Sequence, residues 1–149
     1  MATTISRLDT RELRAWRGLL RVYAQLSKAL DAQLIAAHGL PLTSYEVLMY
    51  LSDAEGGRMR MNELADSVLL SRSGLTRLVD RLEREGYLER CSCAHDARGA
   101  FAVLTPAGRE KVELARATHL DGVRELFLSH FSEDELNVLG DAMDRVLNT

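Results

Sequence analysis

At 149 residues, with 46% hydrophobic but only 5% aromatic side chains, the chain has the size and composition of one compact, helix-rich unit with an aliphatic core. Its formal charge of −3 is unevenly laid: residues 58–109 hold nine arginines against seven acids, and the rest holds ten basic residues against fifteen acids. That distribution permits a nucleic-acid partner for the middle of the chain, while the lack of a long apolar run or of a basic-then-apolar start argues against a membrane span or signal peptide and makes the cytoplasm the expected location.

The first element begins at Asp9 or Thr10, where Asp9 and Glu12 have the spacing of a capping box. Leu13, Trp16, Leu20, Tyr23, Ser27, Leu30 and Leu34 then recur at steps of three and four, one stripe along a helix. A second stripe of Leu19, Val22, Leu26 and Ala29 widens the apolar face beyond what one small core needs. His38-Gly39 closes the helix and Pro41 prevents its continuation. Thr43-Ser44-Tyr45-Glu46 has the form of another capping box, with Leu42 and Val47 as its hydrophobic staple, and predicts a helix over about residues 44–52. Glu55-Gly56-Gly57 breaks that helix, and residues 58–61 leave room only for an edge strand or a connector.

A short helix over residues 62–67 is expected to bury Leu64, Ala65 and Val68, and a turn through Leu69 and Leu70 delivers Ser71 as the next cap. From Arg72 to about Glu85, Leu75, Leu78, Val79 and Leu82 fall at i, i+3, i+4 and i+7 and face inward. Arg72, Ser73, Thr76, Arg77, Asp80, Arg81 and Arg84 are left outside. Gly86 stops the helix; residues 87–91 and 100–104 read as a hairpin whose tip is Asp96-Ala97-Arg98-Gly99. Thr105-Pro106 opens a helix expected to run to about His130, hydroxyl cap first and proline next. Ser132 and Glu135 cap a last one, with Phe131 and Leu136 as staple and Leu136, Leu139, Met143 and Val146 as its apolar line.

A helix with Ser, Thr and Arg on its outer face, beside an arginine-tipped ribbon, suits the grooves of duplex DNA. Arginine offers paired donors to guanine, and Arg77 and Arg81 lie one turn apart on the face that also carries Ser73, with Thr76 beside them. Ser71 and Arg72, at the helix start, suit backbone phosphates, which set register rather than sequence. The plain alternative is a solvated face of arginines paired with Asp80, Glu83 and Glu85.

No glycine-rich phosphate loop, HExxH or serine elbow is present, so neither an enzyme nor a cofactor is expected. Cys91, Cys93 and His95 alternate along one strand face and raise a zinc site or a thiol-based redox sensor as alternatives to inert strand residues. The CxxC spacing and a fourth ligand are missing, and cysteines one residue apart suit an unstrained disulfide poorly, so no metal site is assigned. His38, His119 and His130 are expected in helix-end or packing roles, and Trp16 and Tyr23 in core or dimer packing.

The run Leu69-Leu70-Ser71-Arg72-Ser73-Gly74-Leu75-Thr76-Arg77-Leu78-Val79-Asp80-Arg81-Leu82-Glu83, then Gly86-Tyr87-Leu88-Glu89-Arg90, Asp96-Ala97-Arg98 and Leu104-Thr105-Pro106-Ala107-Gly108, resembles the MarR (multiple antibiotic resistance regulator) family over nearly the whole chain. The resemblance implies a mainly α fold with a small β-hairpin wing: a winged helix-turn-helix over about residues 43–105, flanked by dimerisation helices over about 9–38 and 106–149. It further implies a homodimeric, DNA-binding transcriptional regulator, expected to repress from a pseudo-palindromic operator until a small aromatic or anionic effector binds. Arg98 would enter an adjacent minor groove, and Asp96 would brace an arginine rather than touch DNA, a plain turn residue being the alternative. A winged helix can also serve as a protein–protein module without DNA, and fold alone does not separate the two.

Overall fold

The computed structural model describes residues 6–92 and 100–149. In chain order it contains α1 (Thr10–His38), α2 (Leu42–Asp53), β1 (Arg58–Arg60), α3 (Met61–Val68), α4 (Arg72–Arg84), β2 (Leu88–Ser92), β3 (Ala100–Leu104), α5 (Pro106–Leu126) and α6 (Glu133–Leu147), with short 3-10 turns at Glu55–Gly57 and Leu128–His130. The fold is mainly helical with one small antiparallel sheet in the order β1-β3-β2. Arg60 stands opposite Phe101 and Cys91 opposite Phe101 on the other side, so β1 closes the outer edge of the hairpin.

The core lies where α2, α3, α4 and the sheet meet the C-terminal half of α1 and the first half of α5. Leu34, Leu40, Tyr45, Leu48, Leu51, Leu64, Leu75, Val79, Leu82, Leu88 and Val112 are all fully buried there. Truncating one such leucine to alanine costs about 2–5 kcal/mol, because lost transfer energy adds to an unfilled cavity. All four inward positions expected on α4 are buried.

Both predicted ends of α1 hold: Asp9 and Glu12 form the reciprocal capping box, and Gly39 is the left-handed C-cap. The Ser132–Glu135 box at α6 also forms. Two boundaries differ by more than one residue. Helix α2 starts at Leu42, not Ser44, and the Thr43 box does not form; the Leu42 N–H instead donates to Asp31 Oδ1 of α1 at 2.8 Å. A side chain from another helix thus supplies the cap, which frees Ser44 to be buried within α2. Helix α5 ends at Leu126, four residues early, because Phe127 takes a non-helical conformation (φ −125°, ψ −64°) and its ring stacks edge-on against Phe131 at 5.0 Å.

The joint between hairpin and α5 is tight. Gly86 (φ 82°) ends the α4 turn, and Thr105 Oγ1 donates to the Gly86 carbonyl at 2.6 Å while accepting from the Gly108 N–H. A Cβ on Gly108 would stand 1.9 Å from the Tyr87 carbonyl oxygen, so only glycine lets the first turn of α5 lie against this segment.

Candidate nucleic-acid interface

Helices α3 and α4 form a helix-turn-helix, and α4 presents the charged face. Ser71 Oγ accepts from the Gly74 N–H at 3.1 Å and lies 3.3 Å from Ser73 Oγ, so two hydroxyls crowd the N-terminus of α4. Unpaired N–H groups and the helix dipole make that end attractive to an anion. Thr76 Oγ1 donates to the Arg72 carbonyl at 2.8 Å, which commits its proton but leaves its lone pairs facing outward. Arg72, Arg77 and Arg84 are exposed, and their guanidinium groups have no hydrogen-bond or ion-pair partner among the described residues.

Arg81 is placed differently. Its Nη2 donates at 2.8 Å to Ser44 Oγ, which is 1% exposed, and its Nε lies 4.0 Å from Glu85. The guanidinium therefore ties α4 to α2, whereas that of Arg77, one turn earlier, has no partner among the described residues.

The acids of α4 are also engaged. Arg90 of β2 forms an ion pair with Asp80, approaches Glu83 Oε1 at 3.8 Å, and donates its backbone N–H to Glu83 Oε2 at 2.7 Å. Half-exposed pairs of this kind contribute about 1 kcal/mol or less each, so their main effect is positional. They hold the base of the hairpin against α4 and neutralise the carboxylates that would otherwise repel a polyanion. On the outer face of the sheet, the Arg58 and Arg60 guanidinia sit 4.5 and 4.9 Å from the Phe101 ring centre.

A sequence model of the MarR family matches residues 38–99. The solved structure of AbsC, a MarR family transcriptional regulator from Streptomyces coelicolor, is 34% identical, superimposes with a TM-score of 0.88, and the match covers 96% of each chain. The chain belongs to the MarR family. Sco3205, a MarR family regulator of the same organism solved in complex with DNA, is 33% identical, with a TM-score of 0.88 over 95% of this chain and 92% of its own. The transcriptional repressor YetL of Bacillus subtilis is 24% identical over 148 residues, 97% of this chain and 88% of its own.

As a MarR family transcriptional regulator the protein is not an enzyme, and its fold is the winged helix-turn-helix of that family. The structure brings Ser71, Arg72, Ser73, Thr76 and Arg77 together on one end and face of α4, with Arg81 turned toward α2. Arg98, Asp96, Cys93 and His95 lie outside the described residues. Cys91 is an exposed free thiol, and no group of three or more metal-ligating side chains occurs among the described residues. Sequence reasoning assigned Arg90 no role. Its only signal in the sequence is a pair of acids, Asp80 and Glu83, on one helix face, a pattern that arginines of α4 itself could in part satisfy.

Away from the reader, large apolar side chains stand open to solvent. Trp16 is 54% exposed and Tyr23 69%, with Leu19, Leu20 and Val22 beside them on α1; no residue of α6 is buried. Between α1, the end of α5 and α6 lies a cavity of 780 Å³ lined by Leu19, Val22, Leu26, Phe127, Phe131 and Met143 among others. None of the described helices is long and apolar enough to cross a membrane.

Deeper in, His119 of α5 stacks on Tyr45 with ring centres 4.6 Å apart. Burial pushes the imidazole pKa down, consistent with a buried Nδ1 that has no hydrogen-bond partner among the described residues. The Tyr45 hydroxyl is pushed up by burial, against the nearby Arg116 charge. Arg116 in turn bonds Asp53 at 3.1 Å and so joins α5 to the end of α2. His38 Nε2 shares a 2.7 Å hydrogen bond with Thr118 Oγ1 at the α1–α5 contact. His38 and His119 thus have the packing roles expected of them.

Proposed function

We propose that the protein is a homodimeric, sequence-specific DNA-binding repressor that acts in the cytoplasm from a pseudo-palindromic operator. The observation that carries this reading is the outer face of α4: Arg72 and Arg77 with guanidinium groups unpaired among the described residues, Ser71 and Ser73 at its N-terminus, and its acids Asp80 and Glu83 held by Arg90. Such a face offers phosphate contacts at the helix start and guanine-directed donors one turn on. Arg98 is proposed to reach the neighbouring minor groove, with Asp96 bracing the wing. The DNA-bound state of Sco3205 and the repressor activity in the name of YetL support the same assignment.

Dimerisation follows from what the single subunit leaves open. Residues 9–38 and 106–149 carry the exposed apolar stripes and the 780 Å³ cavity, and a second copy is the occupant that makes both intelligible. Charge agrees: α1 carries Arg11, Arg14, Arg17, Arg21 and Lys28 against Glu12 and Asp31, whereas α6 carries five acids and one arginine. Two copies of residues 43–105 would then present their α4 helices to successive major grooves, about 34–36 Å apart. A small aromatic or anionic effector would relieve repression only by binding one spacing of those helices more tightly than the other.

The deciding experiment is a titration of the purified protein with genomic duplex fragments across salt concentrations. A duplex reader loses affinity steeply as salt rises, and selection of the retained fragments yields the operator. A protein–protein module would show no salt-sensitive duplex binding at all.

A further inference from the structure

Leu69 ends α3 at φ 57° and ψ 37°, the one non-glycine with positive φ among the described residues. In that left-handed region Cβ crowds the following carbonyl oxygen, a cost that glycine escapes. Burial does not offset it. The Leu69 side chain is 86% exposed, the highest value among the exposed large hydrophobic residues, while Leu70 beside it packs on the core.

The turn needs a left-handed residue at this position, not a leucine. Its backbone work is done by the N–H groups of Leu69 and Leu70, which both donate to the Ala65 carbonyl and would do so equally from glycine. The leucine side chain therefore gives the fold nothing that glycine would not, and strained exposed residues gather at functional surfaces. Position supplies the function. Leu69 stands two residues ahead of Ser71, the N-cap of α4, beside the phosphate-facing start of the reader, where the N-terminal end of such a helix meets the rim of the major groove. The apolar feature that distinguishes one base from the others in a major groove is the C5 methyl of thymine.

We propose that Leu69 is a specificity residue whose side chain packs against a thymine methyl group at the edge of the major groove. The inference rests on the DNA-binding reading above and adds to it an apolar reader that the polar face of α4 cannot supply. It also accounts for a tolerated backbone strain, since the side chain is kept for the duplex rather than for the core.

The test is a cycle of protein and DNA changes. Wild type and Leu69→Gly are titrated against a duplex recovered by selection with the wild-type protein, and against versions in which each half-site thymine is replaced singly by uracil, which lacks only the methyl. Leu69→Gly is expected to melt at the same temperature or higher, and to bind the thymine duplex about four-fold more weakly, the worth of one methyl-sized group. At one thymine, uracil should weaken wild type by a similar factor and leave Leu69→Gly unaffected. Full affinity in Leu69→Gly, or losses that simply add in the cycle, would overturn the contact, and a lowered melting temperature would return Leu69 to the fold. Wild type without salt-sensitive affinity for any duplex would instead bring down the DNA-binding reading, and this inference with it.

Discussion

The N-terminal and C-terminal halves of α1 obey the same periodicity and meet opposite fates. In the C-terminal half, Leu34 is fully buried against α2 and α5, and the stripe ends in a closed core. In the N-terminal half, Trp16, Leu20 and Tyr23 continue that stripe into solvent, and α6 likewise has no buried residue. A period of 3.6 thus says that a helix face has a partner; it does not say whether the partner lies in the same chain.

The closed region breaks most readily at its tightest contact. Gly108→Val would drive a branched side chain into the Tyr87 carbonyl, a backbone neighbour that cannot swing aside. A loss of about 3 kcal/mol or more is expected, read as a lowered urea midpoint, and an unchanged midpoint would mean that the joint between hairpin and α5 is looser than it looks. The open region should respond in association instead. Leu19→Asp combined with Val22→Asp places charges on the cavity wall, where they are solvated in a single subunit but buried beneath a second copy. Dimer dissociation should rise by about 100-fold or more while helicity persists, as measured by sedimentation and circular dichroism. A variant that stays dimeric would move the proposed interface off this face.

Within the reader, a finer comparison separates Arg77 from Arg81. Arg77→Ala removes a free guanidinium and is expected to cost about 1–3 kcal/mol in operator binding with no change in melting temperature. Arg81→Ala takes the donor from buried Ser44 and should mainly lower the melting temperature, by an amount corresponding to about 1 kcal/mol given the half-exposed side chain. Equal binding losses with equal stability would merge their roles.

That contrast also marks where sequence stops being informative. The four inward positions of α4 were legible because a strong period is bounded by a hydroxyl cap at Ser71 and by Gly86, all local signals. The start of α2 was not, because Asp31 on another helix caps Leu42 in place of the Thr43 box. The end of α5 was missed for a related reason: nothing in the local run at Phe127 marks a stop, and the packing of Phe127 on Phe131 accompanies it. The candidate site divides in the same way. Which α4 residues face outward follows from helix geometry, but whether an outward arginine is free, like Arg77, or anchored, like Arg81, depends on Ser44, 37 residues away. Arg90 escaped notice because its partners Asp80 and Glu83 belong to a different element.

The smallest effect concerns pH and sits between the two regions, where α5 crosses α2. The His119 ring lies against Tyr45, and burial holds its pKa below the ordinary 6.5. The sign follows from proton counting: between the lowered folded value and 6.5 the unfolded chain binds more protons at this site than the folded one. The stability that neutral His119 contributes is therefore complete above pH 6.5 and is lost as pH falls through 6.5 toward the folded value. Arg116, one turn before on α5, adds no relief, since its charge is already engaged by Asp53 and would only oppose a second cation nearby. His119→Phe keeps a ring on Tyr45 and removes the titration. Urea unfolding at pH 7.5 and 5.5 should then show a smaller acid loss in His119→Phe than in wild type, the difference isolating this site from His38, His95 and His130, which both proteins retain. Equal losses would mean that water reaches the ring in solution and that the contact between α2 and α5 opens more freely than its packing suggests.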